Sequence, residues 1–193
     1  MKDLLSFLCT YSDLIQALSL VISLAAICFA IIIPRQILMN QLYSDLVREY
    51  RSAEMGAAIF LIFHFYVTVC KNNVSFIADE YKKKYEEQIK IPLALGKQID
   101  YDATLHFQRR LVAQFYADMA TLRYKRRFPW FPAKYLKEWF TPSEAKLLAI
   151  LLHMAGPARA VFEEARNLSE PPEDEVFMNR QISKLYEEVR YME

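Results

Sequence analysis

From Leu14 to Ile33 the chain runs for twenty residues without a charged side chain, twelve of them Leu, Ile, Val or Phe. As an α-helix this stretch is about 30 Å long, the thickness of a bilayer's hydrocarbon core. Asp13 bounds it on one side and Pro34-Arg35 on the other. A cleaved signal peptide fits less well: its leading segment should be short and basic, whereas Lys2 is followed here by Asp3 and Asp13, and the apolar run is too long. A lipoprotein signal fits poorly too, because Ile27 stands where a small residue should precede Cys28. The run therefore predicts a retained transmembrane helix, residues 1–34, followed by a domain of residues 35–193. Ser19, Ser23, Ala26 and Ala30 form a small-residue stripe on it, which ordinary membrane-helix composition also explains.

Orientation follows from cations close to the span, since Lys and Arg resist translocation. Arg35, Arg48 and Arg51 outnumber Lys2 and the amino terminus, which predicts a single-pass protein with most of its mass on the cytoplasmic side. Cys9, Cys28 and Cys70 are odd in number, widely spaced and set among apolar residues, so no disulfide framework or CxxC site is implied. Glycine is scarce, at Gly56, Gly96 and Gly156 only, and phosphate-cradling loops need several. No cofactor is implied.

The remaining chain predicts an all-α fold, a small helical bundle behind the anchor. Met55 to Cys70 is a second apolar stretch, short for a span and long enough for a bundle core. Arg51, Glu54, Ala58, His64, Thr68 and Lys71 fall roughly along one face, which favours a domain helix with one side in water; a second span is the alternative. Asn72 or Asn73 breaks the chain there. Val74, Ile77, Tyr81, Tyr85 and Ile89 then make an apolar stripe on a helix otherwise covered by Lys and Glu. Residues 91–101, with Pro92 and Gly96, read as the main loop.

Asp102 is the expected N-cap of a long helix to about Arg126, with Leu105, Val112, Phe115, Tyr116, Met119 and Leu122 facing inward. The sequence Phe128-Pro129-Trp130-Phe131-Pro132 breaks it. Thr141-Pro142-Ser143-Glu144 is the sharpest local signal: an N-cap, a proline at the first helical position and a glutamate at N3. Gly156-Pro157 is expected to interrupt the helix that starts there, residues 169–174 to form a polar linker, and a last helix from about Glu175 to Tyr191 to carry Val176, Phe177, Ile182, Leu185, Tyr186 and Val189 inward. No stretch alternates with period two, so strands are not expected.

Charge is uneven. Residues 103–137 hold eight basic side chains against Asp118, a net of +7, and residues 138–193 hold eleven acids against six bases, a net of −5. The centre of the basic part interleaves Arg123, Lys125, Arg126 and Arg127 with Tyr124, Trp130 and Phe131. Near a bilayer such a surface suits anionic headgroups or a protein partner; nucleic acid is the weaker fit. The plain alternative is a solvated helix end paired with the acidic C-terminal part. His64, His106 and His153 lie on three different expected helices without metal-ligand spacing. Asp102 and His106 are one turn apart, but the capping role suits Asp102 better than a catalytic pair.

The span followed by Arg109-Arg110-Leu111-Val112 and Phe115-Tyr116-Ala117-Asp118-Met119-Ala120-Thr121-Leu122 resembles uncharacterised bacterial membrane-anchored helical proteins. That resemblance implies a bacterial inner-membrane location and carries no catalytic residue with it. A non-catalytic interaction or scaffold module is the leading expectation, with a protein partner or a second copy as its target. An enzyme with an unrecognised helical site and a two-span subunit remain the alternatives.

Overall fold

The computed structural model describes residues 2–124, 140–166 and 173–192, and every regular element among them is helical. The chain divides into two compact units, Met1–Arg48 and Glu49–Glu193.

The first unit is one helix, α1, which runs from Lys2 to Tyr50 and so ends in the second unit. Pro34 lies inside it, and the helical segment continues past the expected kink. From Leu14 onward the helix is long and apolar enough to cross a membrane, with a mean hydropathy of 2.6 in its most apolar window. Its large apolar side chains from Leu14 to Leu38 are 45–65% exposed.

Six further helices lie among the described residues of the second unit. α2 spans Ala53–His64 and passes into a π-helical turn at Phe65–Val69. α3 spans Ile77–Tyr85, continues through a π-helical turn at Glu86–Lys90 and ends in the single turn α4, Ile91–Ala94. α5 is Leu105–Tyr124, α6 is Pro142–Arg166 and α7 is Glu173–Val189. α5 packs against α2 and α7, while α6 packs against α3 and α7. The core is apolar, with Ile62, Ile77, Val112, Phe115, Met119, Leu147, Leu148, Ile150, Leu151, Met154, Ile182 and Leu185 removed from solvent. Each such side chain contributes roughly 1.5–3 kcal/mol of transfer free energy.

Local signals explain the boundaries. Ser52 caps α2, its Oγ accepting from the Met55 N–H at 3.1 Å. After α2 the chain turns through Lys71 and Asn72, both in the left-handed region, and Asn73 Oδ1 then accepts from the Ser75 N–H at 3.0 Å. The expected break at Asn72-Asn73 is therefore where the chain reverses. The stripe on α3 is buried at Ile77, Tyr81, Tyr85 and Ile89, while Val74, in the turn before it, is exposed. The loop after α3 is shorter than expected, because Ile91–Ala94 is helical; Gly96, with φ +66°, closes that turn.

Asp102 does not cap α5. It sits in a 3-10 turn, Tyr101–Ala103, which delays the helix, and Thr104 takes the cap, its Oγ1 accepting from the Phe107 N–H at 3.3 Å. The Leu105 N–H donates to Gln88 Oε1 at 3.0 Å. At α6 the capping signal is realised: helix begins at Pro142, the Thr141 N–H donates to Glu144 Oε2 at 2.9 Å, and the Thr141 hydroxyl also reaches that oxygen. The same helix runs through Gly156 and Pro157 without stopping. Proline removes one N–H donor there, but Met154, Pro157, Ala158 and Val161 are all buried, and their packing holds the helix together across it.

Two further expectations are corrected. Ala58, placed on a water-facing side of α2, is fully buried, as are Met55 and Ile62; the chain continues the same buried side at Phe65, Tyr66 and Cys70. On α7, Val176 and Phe177 are 46% and 44% exposed, and Glu175 and Met178 turn inward in their place. The break at 128–132 lies outside the described residues, as do residues 169–172 of the linker.

Candidate functional site

The most chemically dense place in the helical unit is a polar cluster between α3, α5 and α7. Arg109, counted in the sequence with a basic surface, is 1% exposed. Its Nη2 donates to Glu175 Oε1 at 2.6 Å, and the carboxylate side chain is only 8% exposed. One turn earlier on α5, His106 Nδ1 lies 2.8 Å from the Tyr81 hydroxyl, and the Tyr85 ring meets the imidazole edge-on at 5.5 Å. The buried residues Ile77, Tyr81, Tyr85 and Ile89 recur every four positions, which brings Tyr81 and Tyr85 onto the face that meets His106.

Electrostatics fixes the protonation of this cluster. Burial pushes the Tyr81 phenol up to about 12, with the Arg109 charge opposing in part. Burial, reinforced by Arg109 and Arg110, pushes His106 down to about 4. At neutral pH the Tyr81 O–H is thus the donor, neutral His106 accepts at Nδ1, and the ring proton sits on Nε2. A phenol near 12 and an imidazole near 4 are poorly matched to proton transfer at pH 7. What the cluster does is join helices: Tyr81–His106 ties α3 to α5, and Arg109–Glu175 ties α5 to α7. It carries a cost, because Arg109 Nε and Nη1, Gln108 Oε1 and Gln181 Oε1 are buried without a protein partner among the described residues.

A second polar knot centres on Glu144. Besides capping α6, its Oε1 accepts from the Tyr50 hydroxyl at 2.8 Å. The Tyr50 ring lies 5.7 Å from Phe115, itself edge-on to Tyr116 at 5.4 Å. Burial first, then the Glu144 hydrogen bond and charge, raises Tyr50 to about 12. One carboxylate therefore fixes both the start of α6 and the last residue of α1. Cys70 is buried, and burial with the Glu80 charge raises its thiol to about 11.

Among the described residues of the helical unit, exposed apolar side chains occur at Ile91, Leu93 and Leu95, at Val176 and Phe177, and on α2. Opposite the buried side of α2, the stripe Gly56, Phe60 and Val67 faces outward, with Phe60 68% exposed. Val74 and Phe76, just beyond the turn, are exposed as well. A cavity of about 540 Å³ is lined by Gln98, Ile99, Asp100, Tyr101 and Asp102, all on the loop before α5. No group of three or more metal-ligating side chains occurs among the described residues.

Arg123 belongs to the last turn of α5, while Lys125, Arg126, Arg127, Trp130 and Phe131 lie outside the described residues. The pairing of Asp102 with His106 does not form, since His106 Nδ1 takes Tyr81 from another helix. His64 and His153 are exposed on α2 and α6. Sequence reasoning missed Arg109–Glu175, which joins residues 66 positions apart and carries no local signature. It also missed the outward Phe60, which period alone places on the opposite side from Met55, Ala58 and Ile62. Comparison with protein-family models, with curated proteins and with solved structures finds no match to this chain.

Proposed function

We propose that this chain is a single-pass membrane protein, held in a cell (inner) membrane by residues 14–33, whose helical domain acts from the cytoplasmic side as a non-catalytic binding module for a protein partner or a second copy. The observation that carries this reading is the exposure of α1, whose large apolar side chains from Leu14 to Leu38 stand 45–65% open over a stretch as long as a bilayer is thick. Twelve Leu, Ile, Val and Phe side chains between Leu14 and Ile33 supply about −4 to −7 kcal/mol of insertion free energy. Nothing comparable is gained by leaving them in water.

The binding role rests on the surface of the domain. The charge asymmetry between residues 103–137 and 138–193 is what an interaction module offers. Two strongly perturbed titratable groups, Tyr81 and His106, are engaged with each other in holding helices together. The test is chemical crosslinking of the full-length chain in its native membranes, followed by detergent extraction and identification of whatever co-purifies. A reproducible complex with one polypeptide, or with a second copy, is expected; recovery of the uncrosslinked monomer alone across several reagents would overturn the reading.

A further inference from the structure

The outer side of α2 differs from an ordinary solvated helix face in its chemistry. Between Glu54 and Lys71 the chain has no Asp, Glu, Lys or Arg. Phe60 and Val67 stand outward, with Gly56 and Ala57 beside them and Phe63 half-buried between. The two polar side chains on this side, both on exposed residues, each have a partner within the helix. Thr68 Oγ1 donates to the His64 carbonyl oxygen at 2.6 Å, and the His64 ring stacks on Phe60 at 5.9 Å with 19° between planes. A helix that satisfies its hydroxyl on its own backbone can meet an apolar neighbour there at lower cost.

The ends of this segment identify that neighbour. Arg51 precedes α2 and Lys71 follows its π-helical turn; both are exposed. An uncharged apolar stripe flanked by Arg51 and Lys71, with Glu54 in the first turn between Arg51 and the stripe, suits a helix lying in the plane of a membrane interface, its apolar side among the acyl chains and the two cations at anionic headgroups. The stripe is convex, and a Cβ added at Gly56 would meet nothing within 4 Å, so no cleft waits there for a complementary side chain. A lipid surface needs no such cleft. α2 begins twenty residues after Ile33 in the chain.

We propose that the outer face of α2, with Phe60 and Val67 as its apolar contacts and Arg51 and Lys71 as its headgroup contacts, lies against the surface of the same bilayer that α1 crosses. The inference rests on the reading of residues 14–33 as a span. It gives the domain a second membrane contact and so fixes which side of it is left for a partner.

The test uses the full-length chain reconstituted in vesicles of phosphatidylcholine and phosphatidylglycerol, with p-benzoylphenylalanine placed at one position at a time: Leu24 within the span, Phe60 and Val67 on α2, and Lys97 on the exposed loop before α5. After irradiation, lipid adducts are measured by mass spectrometry. Adducts at Phe60 or Val67 within about threefold of Leu24, and about tenfold or more above Lys97, are expected. In the Phe60 variant, adding Arg51→Gln and Lys71→Gln should lower the adduct about fivefold or more. Adducts at Leu24 with Phe60 and Val67 no higher than Lys97, or crosslinks from Phe60 to a second copy in place of lipid, would overturn the inference and leave the anchor standing. Absence of adducts at Leu24 as well would overturn the span, and this inference with it.

Discussion

Replacing Arg109 by methionine leaves the Glu175 carboxylate, 8% exposed, without its cation. A buried charge stripped of its partner costs about 3–5 kcal/mol. For a domain of roughly 150 residues, each kcal/mol moves Tm by about 2–4 °C, so a fall of about 6–20 °C is expected. The double replacement Arg109→Met, Glu175→Leu behaves differently. It removes both charges, and it also removes the guanidinium whose Nε and Nη1 are buried without a protein partner among the described residues, a liability of about 1–3 kcal/mol for each group. The double variant should therefore recover most of the loss and unfold within about 1 kcal/mol of the parent, or above it. Thermal unfolding of the full chain in detergent, followed by far-UV circular dichroism, reads all three proteins together with Glu175→Leu. A coupling energy of about 2 kcal/mol or more between the two positions is expected. Single variants within about 1 kcal/mol of the parent, or a double variant whose loss is the sum of the singles, would refute the claim that this pair is buried and mutually dependent.

Three other outcomes follow from the same polar groups. His106 stays neutral in the folded chain down to about 4, against 6.5 for an ordinary histidine. Between those values only the unfolded chain takes the proton, so stability should fall as pH drops through 6.5 toward 4, by up to about 3 kcal/mol, and this component should level off below 4. His106→Asn, which keeps an acceptor for Tyr81, should flatten that part of the profile; an unchanged slope in urea unfolding across this range would count against the assignment. Glu144→Ala should cost about 2–3 kcal/mol, more than the roughly 1 kcal/mol of Thr141→Ala, because Glu144 serves both Tyr50 and the α6 cap; equal losses in the same assay would contradict the shared role. Cys70, with Cys9 and Cys28 replaced by serine, should react with a water-soluble maleimide at least about a hundredfold more slowly than a free cysteine, since its thiol is raised from 9.0 to about 11. A rate near that of the free thiol would show Cys70 to be open to solvent.

How far the sequence could be read depended on the range of the forces involved. The start of α6 was legible because Thr141, Pro142 and Glu144 act within one turn. The stripe Ile77, Tyr81, Tyr85 and Ile89 was legible because burial of one helix face imposes its period. Gly156-Pro157 misled for the complementary reason: the local cost of proline is real, but burial of Met154, Pro157, Ala158 and Val161 outweighs it. Asp102 misled because a 3-10 turn moved the helix start to a neighbour equally able to cap. The candidate site was the least legible part. Arg109 looked like any other cation in a basic stretch, and only packing of α7 against α5 brings Glu175 to it. Val176 and Phe177 show the same dependence, since the rotation that buries Glu175 and Met178 turns those two apolar residues outward.

The central claim is that residues 14–33 hold the intact chain in a bilayer. Membranes from cells making the full-length protein are washed with alkaline carbonate, and the pellet and supernatant are examined by intact-mass spectrometry. The account predicts that the chain stays in the pellet until detergent is added, at a mass that still includes the first helix. Recovery of the intact chain in the supernatant, or a mature form lacking its first forty or so residues, would contradict it.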